Sequence, residues 1–419
     1  MRLAITYLTL IIISLTEFAM AQQVTDVTFS GKFRIKERIL RNEIDMKTGC
    51  QFSEEQWDLD QKRLASLAIF SEVLSDTVFT PGGIAVHYYL KEVWTLIPRL
   101  DIGGEIDNID IDIGLSDKDF LGLYLEPGFL YTRFESRDSY RAWLSYPRAF
   151  GTRNSISLSF ARTHTHEPAD FRGEVYRYSY DVRRTTISCA AGKRFSEKLM
   201  CVIGLSFQNE RYRIKPYAAA PRTLPDFLRQ QKIRPSGRVT LGRVYYDNFF
   251  FDGRALMMGG DLIALDWEGY KPKHWLFYLE ARNYIDIKTT WNICNRVFFG
   301  TSRTNDILPP YAITGLSNVR GTEDRIRRGG NMYFANSEIR LKAYQDKWFH
   351  GQLVVFVDVG DAWEDKLNLK AIVDESYLTG GFGVRLGHRR FYNAIGRVDF
   401  AYNTNDSAWT IYISAGQFF

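Results

Sequence analysis

The sequence predicts an all-β transmembrane barrel of sixteen antiparallel strands, preceded by one small β-α-α-β-β domain. Three observations lead to this prediction: an apolar leader, a change of residue period near Thr95, and a last segment that alternates in polarity. We expect residues 1–21 to be a cleaved signal peptide, residues 22–94 to form the small domain and residues 95–419 to form the barrel.

The leader begins with a positive residue, Arg2, and continues with a nearly unbroken apolar stretch from Leu3 to Leu15. The small-x-small pattern Ala19-Met20-Ala21 before Gln22 is typical of a cleavage site. The apolar stretch is too short for a spanning helix, and no later run of apolar residues is long enough for one. A membrane crossing therefore has to be made by strands.

Composition favours an exported β-protein. Aromatic residues make up 15% of the chain, including 24 Tyr and 29 Phe, while the mean hydropathy is −0.25. Strands that alternate between lipid and a polar lumen have this combination. The net charge of +5 is too small to indicate a nucleic-acid partner.

The small domain differs in pattern from the remainder of the chain. Ser53 is positioned to cap a helix and Gln56 to close a capping box. The predicted elements are a strand at Val24–Gly31, a helix at Arg34–Ile44, a second helix from Ser53 to about Ala68, and strands at Glu72–Thr80 and Ile84–Val93.

From Thr95 onward the period is two, as in Ser155–Phe160, where three apolar side chains alternate with three serines. Sixteen such segments start near residues 95, 109, 122, 139, 155, 179, 198, 235, 254, 273, 290, 332, 350, 376, 394 and 409.

Connection lengths support the barrel. Alternate connections are short, at 151–154, 195–197 and 344–346, whereas those between them include long ones, at 164–178, 212–234, 302–331 and 362–375. Short periplasmic turns and long extracellular loops are typical of outer-membrane barrels.

The segment Trp409–Phe419 is expected to close the barrel. Trp409, Ile411, Ile413, Ala415 and Phe419 fall on one face of the predicted strand. An open sheet edge cannot be satisfied in lipid, so this strand has to pair with the first one.

The two-part organisation resembles the BamA/TamA superfamily of outer-membrane assembly and secretion barrels, the bacterial surface antigen family, with a single POTRA domain. The residues that carry this resemblance are Gly49, Leu64 and Phe70-Ser-Glu-Val73 in the small domain, and Asp117–Gly122, Tyr146-Pro-Arg148 and Phe251-Asp-Gly253 in the barrel. The resemblance implies an outer-membrane location with the POTRA domain in the periplasm.

Two further motifs belong to the resemblance, Val319-Arg320-Gly321 in a long loop and Phe356-Val-Asp358-Val-Gly360 on a strand. In the family the loop folds into the lumen and its arginine meets the strand aspartate, which implies an Arg320–Asp358 ion pair. Alternation places Asp358 on the lumen side, together with Glu338 and Arg340 of the preceding strand. Thr322 stands where the family usually has an aromatic residue.

The resemblance also implies a mechanism. The first and last strands would part at a lateral seam, for which we name Leu100, Ile102, Ile413, Gly416 and Phe419. The POTRA domain would offer a strand edge, marked by Phe70 and Val73, to substrate segments. The implied partners are unfolded outer-membrane or secreted β-proteins, outer-membrane lipids and lipopolysaccharide, and periplasmic chaperones or accessory lipoproteins.

No catalytic, metal or cofactor site is expected, because nucleophile-elbow and phosphate-loop motifs are missing from the sequence. His164, His166 and Glu167 are interpreted as an exposed loop, and the glycines of Thr379–Gly387 as room for the inserted loop. Arg325, Arg327 and Arg328 have two interpretations, solvated cations or contacts to the lumen or lipopolysaccharide. Cys189 and Cys201 lie on adjacent predicted strands, where a disulfide or simple apolar packing are both compatible with the sequence.

The expected function is assistance in the insertion of outer-membrane β-barrels, without enzymatic activity. Two alternatives remain at this point. A two-partner secretion translocator shares the barrel and both motifs but usually has two POTRA domains and a plug helix. A passive porin-like channel needs neither a periplasmic domain nor a loop-to-strand ion pair.

Overall fold

A computed structural model describes residues 23–105, 108–134, 136–151, 153–169, 178–215, 227–246, 250–262, 265–266, 275–303, 308–315, 317–322, 327–364, 375–389 and 395–419. The expected signal peptide and Arg325 lie outside these residues.

The N-terminal domain is a three-stranded sheet covered by two helices. Its elements are β1 (Val24–Lys32), α1 (Glu37–Glu43), α2 (Glu54–Ala65), β2 (Phe70–Thr80) and β3 (Gly83–Glu92). The sheet order is β1-β3-β2, with β1 parallel and β2 antiparallel to the central β3. Alternate residues of β3 face the helices, and with α1 and α2 they form one buried core. The order of elements is the predicted β-α-α-β-β.

Both helices are shorter than predicted. Ser53 caps α2, because the Gln56 N–H donates to its Oγ at 3.3 Å. The expected capping box is only half made, since the Gln56 side chain donates to Asp60 at 2.9 Å instead of returning to Ser53. The buried Asp60 also accepts the N–H groups of Asp45 and Met46, and therefore holds the inter-helix turn against α2.

The remaining strands form a closed antiparallel barrel. Within the described residues sixteen strands make up its wall, with a two-residue segment, β13, pairing beside β12. The ranges are β4 (Leu96–Glu105), β5 (Asn108–Asp117), β6 (Glu126–Phe134), β7 (Arg137–Tyr146), β8 (Asn154–Ala169), β9 (Tyr178–Ser196), β10 (Leu199–Lys215), β11 (Phe227–Tyr246), β12 (Phe251–Leu262), β13 (Leu265–Asp266), β14 (Trp275–Ile287), β15 (Trp291–Arg303), β18 (Asn331–Gln345), β19 (Phe349–Trp363), β20 (Tyr377–His388), β21 (Ile395–Asn403) and β22 (Ala408–Ala415). A short hairpin of β16 (Tyr311–Ile313) and β17 (Arg327–Gly329) lies in the loop between β15 and β18.

Each of the sixteen predicted segments corresponds to one wall strand, so the fold prediction is confirmed. The largest differences in starting position are at β6 and β11. β6 starts later because residues 118–125 form a turn against the N-terminal domain. β11 starts earlier because its first residues extend past the apolar part of the wall, where the hydropathy pattern fades.

The wall is apolar outside and mixed inside. On β19, Leu353, Val355 and Val357 are about half exposed, whereas the intervening Val354 and Phe356 are buried in the interior. An outer apolar surface of this kind is what a lipid-facing strand requires. Among the described residues, the helices are all too short or too polar to span a bilayer.

The last wall strand differs from its prediction at the end. β22 stops at Ala415, and Gly416 has a φ of +81°, a left-handed conformation that suits glycine. Phe418 and Phe419 then lie inside the barrel, where they pack with Tyr284 and Cys294. The expected lipid-facing seam position of Phe419 is therefore wrong, because after the turn at Gly416 the segment leaves the wall and enters the barrel interior.

The cysteines are unbridged. Cys189 lies opposite Leu205 and Cys201 opposite Lys193, so their register keeps the two thiols apart. The disulfide alternative is thereby excluded.

Candidate functional site

The loop between β15 and β18 fills part of the lumen. Its β16–β17 hairpin and the motif residue Val319 pack against inward side chains of the wall, forming a buried cluster of Tyr311, Ile313, Val319, Met332, Phe334, Ala362 and Tyr377. This apolar packing brings the tip of the loop, including Arg320, to the inner wall near β18 and β19.

Arg320 is buried and bound by two carboxylates. Its Nε donates to Asp358 Oδ2 at 2.7 Å and its Nη2 to Asp358 Oδ1 at 2.9 Å, a bidentate pair. Its Nη1 donates to Glu338 Oε1 at 2.5 Å. We call Arg320, Asp358 and Glu338 the latch. The structure thus brings together the residues that the sequence singled out on the loop and on two strands.

Two aromatic rings enclose the Arg320 guanidinium. Its central carbon lies 3.5 Å from the ring centroid of Phe356 and 4.0 Å from that of Phe418. Phe356 comes from the strand motif, whereas Phe418 belongs to the segment that turns inward at Gly416. A guanidinium between aromatic faces is stabilised electrostatically and shielded from water.

Further buried charges surround the latch. Arg340 donates to Glu338 at 2.7 Å and to the Phe419 backbone oxygen at 3.1 Å. Arg385 of β20 donates to Asp399 of β21 at 2.6 Å. These contacts extend the network from β18 to β21, so that the inward-turning segment and the loop share one set of charges.

Backbone conformation and steric space explain why two motif positions, Gly321 and Gly360, are glycine. Gly321 has a φ of +85°, which lets the loop turn directly after Arg320. A Cβ on Gly360 would lie 2.8 Å from Val319 Cγ2 and 2.8 Å from Phe334 Cβ. The strand motif therefore ends in glycine because Val319 of the loop motif occupies that space.

Tyr412 of β22 ties the loop to the last strand. Its hydroxyl accepts the Gly321 N–H at 3.1 Å and donates to the Thr322 carbonyl oxygen at 2.8 Å. Thr322 itself donates to the Val319 carbonyl oxygen at 2.8 Å, which closes the loop tip. An aromatic side chain is thus present at the tip, but β22 supplies it.

The glycines of β20 make room for the wall rather than for the loop. A Cβ on Gly381 would lie 2.6 Å from Phe356 Cζ, and one on Gly383 would lie 2.2 Å from Asp399 Oδ1. The expectation that this strand accommodates the inserted loop directly is therefore corrected. It accommodates the side chains that hold the loop.

Four of the five predicted seam residues lie on, or directly after, β4 and β22, which are neighbours in the barrel. The backbone of Leu100 and Ile102 lies in β4, but their side chains lie outside the described part of the structure. Ile413 points outward and is 70% exposed. Gly416 ends β22.

The predicted POTRA edge needs a similar correction. β2 is an edge strand of its sheet, as expected. Phe70, however, is buried in the domain core and Val73 packs against it, because both face the helices. The exposed apolar side chains of β2 are Leu74, Val78 and Phe79.

The N-terminal domain is docked on one end of the barrel. The Lys36 N–H donates to the Gly122 carbonyl oxygen at 2.9 Å, and the Tyr124 hydroxyl donates to the Leu67 carbonyl oxygen at 2.7 Å. Burial raises the pKa of Asp119, in the same turn, to about 6.

A second docking contact is ionic. Glu43 of α1 accepts from Arg148 at 2.5 Å and from Arg243 of β11 at 3.3 Å. Arg63 of α2 reaches Glu197, in the turn between β9 and β10, at 3.0 Å. Burial alone would raise the pKa of Glu43, but Arg148 and Arg243 outweigh it and hold the pKa below its usual value.

Sequence reasoning missed Asn336, Asp399, Tyr412 and Phe418 as parts of the latch surroundings. Asn336 donates to Asp358 at 2.9 Å. Alternation placed Asn336 and Tyr412 on inner faces, so a pattern of polar residues at inward positions was available as a signal. Phe418 had no such signal, because its position depends on the turn at Gly416.

His164 lies on β8 and contacts Asp181 of β9 at 3.0 Å, so the strand extends farther than the expected loop. Arg327 pairs with Asp361 at 2.7 Å and Arg328 with Glu167. Both arginines are therefore engaged inside the end of the barrel that lies away from the N-terminal domain, and their interpretation as solvated cations is wrong.

Comparison with known proteins agrees with this architecture. Residues 22–93 match the model of the POTRA family, described as "Surface antigen variable number repeat". BamA from Haemophilus ducreyi lacking POTRA domains 1–3 has 15% sequence identity and a TM-score of 0.53, with 94% of this chain and 83% of that chain covered.

CdiB from Escherichia coli has 12% identity and a TM-score of 0.59, with 95% of this chain and 77% of that chain covered. CdiB from Acinetobacter baumannii has 13% identity and a TM-score of 0.54, with 93% and 73% covered. No curated protein sequence matches the chain. Within the described residues the chain thus has one POTRA domain followed by a sixteen-stranded barrel, and its fold is similar to that of these BamA and CdiB structures.

Proposed function

We propose that this protein assists the insertion of outer-membrane β-barrel proteins, without enzymatic activity, through a lateral seam between β4 and β22. The observation that carries the proposal is the shortness of the last strand. Within the described residues β22 is the shortest of the sixteen wall strands, with 8 residues, and the others have 9 to 20. Because the chain leaves the wall at Gly416, few backbone hydrogen bonds are available to hold the seam.

A seam of this kind exposes two strand edges when it parts. In lipid each edge carries backbone donors and acceptors without water to satisfy them, so an incoming substrate strand is strongly favoured there. Tyr412 lies on β22 and contacts the loop tip, which supports a role for the latch in positioning the seam strand.

The POTRA domain supports the capture of substrate segments before insertion. β2 has one free edge in the sheet and carries the exposed Leu74 and Val78. An extended β-segment could add to this edge by backbone hydrogen bonds, with apolar side chains supplying further area.

A second candidate is secretion of a β-rich passenger protein. The similarity to the two CdiB structures supports it, since their TM-scores of 0.54 and 0.59 both exceed the 0.53 of BamA. A passive channel is disfavoured, because the loop, the latch and the 416–419 segment occupy the lumen.

The test is reconstitution of the full chain into liposomes. We expect an unrelated, urea-unfolded outer-membrane barrel to fold faster into these vesicles than into empty ones, as measured by its heat-modifiable gel shift. Vesicles containing an ordinary porin serve as control. An equal rate in all three samples would contradict the insertion proposal.

The same vesicles discriminate the alternatives. Protease protection of an added β-rich passenger, without faster barrel folding, would favour the translocator. A large and stable conductance in planar bilayers would favour the channel.

A further inference from the structure

Three neighbouring strands place arginines side by side on the outer face of the barrel, and a fourth adds a histidine. In cross-strand register, His164 of β8 lies opposite Arg183 of β9, Arg183 opposite Arg211 of β10, and Arg211 opposite Arg229 of β11. We call Arg183, Arg211 and Arg229 the arginine row. Arg162 and Arg213 lie on the same face, one outward position away on either side.

These side chains point away from the lumen. On β10, the alternate residues before Arg211 include Ile203, Leu205 and Phe207, which are all exposed. The two residues that flank Arg211, Glu210 and Tyr212, are buried inside the barrel. Arg183 and Arg211 are themselves exposed.

The row lies where the apolar wall ends. Ile187, Phe207 and Ile233 form the last apolar positions below it, in register with one another. The turn between β9 and β10 holds Glu197, which contacts the POTRA domain, so that end of β10 is periplasmic. From Leu199 to Arg211, tilted strands rise about 30 Å, slightly more than the apolar band of an outer-membrane barrel, which is about 25 Å tall.

Without a bound anion, the arginine row is electrostatically unfavourable. Like charges directly opposite each other on neighbouring strands repel. Within the described residues, no carboxylate forms an ion pair with Arg183, Arg211 or Arg229, and the buried Nε of Arg229 has no hydrogen-bond partner. The carboxylate nearest in register, Asp181, is engaged by Arg137 and His164.

We propose that the arginine row binds the phosphate groups of an outer-leaflet glycolipid of the lipopolysaccharide type. Guanidinium groups bind phosphate oxygens in bidentate fashion, and a phosphate between neighbouring arginines removes their repulsion. The acyl chains of the same molecule would cover Ile187, Phe207 and Ile203. A soluble polyanion would gain nothing from this apolar wall, so a lipid fits the site better.

The experiment compares lipid binding of the full chain and of the triple variant R183Q/R211Q/R229Q by native mass spectrometry in detergent. The probes are diphosphorylated lipid A, dephosphorylated lipid A and inorganic phosphate. R303Q is the matched control, because Arg303 is an exposed arginine at the same end of β15 that lies opposite Trp275.

We expect the parent and R303Q to retain diphosphorylated lipid A, and the triple variant to bind it at least about tenfold more weakly, since each lost charge-assisted hydrogen bond is worth about a factor of ten or more. Dephosphorylated lipid A should bind weakly to all three. Equal binding of parent and triple variant, or equal binding of both lipids, would overturn the proposal. Displacement of the lipid by inorganic phosphate at equal phosphate concentration would overturn the lipid assignment.

The unfolding temperature is a second readout, which distinguishes lost lipid binding from a folding defect. Without lipid A, the triple variant should unfold at a higher temperature than the parent, because the repulsion is gone, and added lipid A should raise the unfolding temperature of the parent alone. A variant less stable than the parent without lipid would contradict the unpaired state of the row. If the triple variant fails to fold, R211Q alone should weaken lipid binding, and unchanged binding in R211Q would count against the row.

Discussion

Arg320 holds a buried positive charge that one loop and two strands share. Desolvating a guanidinium is costly, and here the cost is offset by three short hydrogen bonds to Asp358 and Glu338 and by two flanking rings. Removing one partner therefore costs more free energy of unfolding than the intact pair contributes, because the remaining charge stays buried without compensation.

Asp358→Asn tests the latch directly. The substitution leaves Arg320 without its bidentate partner, and we expect the free energy of unfolding to fall by about 3–5 kcal/mol. Urea titration in detergent, followed by the heat-modifiable gel shift, measures this. Asp252→Asn is the control, since Asp252 is an exposed carboxylate of β12, and the proposal is contradicted if both variants unfold at the same urea concentration.

Gly360→Ala tests the fit between the two motifs. The added methyl meets Val319 and Phe334 at 2.8 Å, so we expect overpacking to cost about 1–3 kcal/mol and to displace the loop tip. Gly380→Ala is the control, because its Cβ would meet only the Phe356 carbonyl oxygen, at 3.7 Å. Protease sensitivity of the loop should rise in the first variant alone; equal sensitivity would show that the contact does not hold the loop.

At the scale of elements, the alternating pattern was sufficient to place every wall strand, because one face of each strand meets lipid and the other meets the lumen. It failed at Phe419, since the alternation in the sequence continues through Gly416 whereas the left-handed turn at this residue takes the chain out of the wall. It also failed at Phe70. This residue is on an edge strand, but its side chain is buried in the core of the domain, against the helices.

Tyr412→Phe tests the connection between β22 and the loop. Without the hydroxyl, the Gly321 N–H and the Thr322 carbonyl lose their partner, which costs about 1–3 kcal/mol. We expect faster hydrogen exchange in β22, with Tyr402→Phe on the outer face of β21 as control. Unchanged exchange in Tyr412→Phe would mean that the loop does not stabilise the seam strand.

At the scale of the whole molecule, the POTRA domain and the barrel meet through Glu43, Arg63 and three wall segments distant in sequence. No local sequence pattern predicts these contacts, because Arg148, Glu197 and Arg243 become neighbours only when the barrel closes and the domain docks. The sequence predicted both domains and their order, but their mutual orientation depends on these side chains.

Acidification should loosen this docking. Because the pKa of Glu43 lies below its usual 4.5 in the docked state, its ion pairs stabilise docking fully above that pH and less as the pH falls through the lower value. Spin labels at Glu55 and Lys198, in a cysteine-free background, should show one narrow distance at pH 7 and a distribution that broadens progressively as the pH falls below 4.5.

Glu43→Gln should show the broad distribution already at pH 7, because it leaves Arg148 and Arg243 uncompensated. Glu37→Gln, which removes an exposed pair with Arg41 on the same helix, should behave like the parent. A narrow distribution in Glu43→Gln at pH 7 would contradict the ionic account of docking.

The lateral seam is tested most directly by closing it with a disulfide. Cysteines at Leu100 of β4 and Ile413 of β22, or at neighbouring positions of these two strands that cross-link better, lock the seam, whereas cysteines at Val384 and Val398, opposite each other on β20 and β21, lock an ordinary strand pair. With the native cysteines replaced, we predict that oxidation of the seam pair abolishes accelerated barrel insertion into liposomes, that reduction restores it, and that the control disulfide has no effect. Insertion at the parent rate through a fully cross-linked seam would contradict the account.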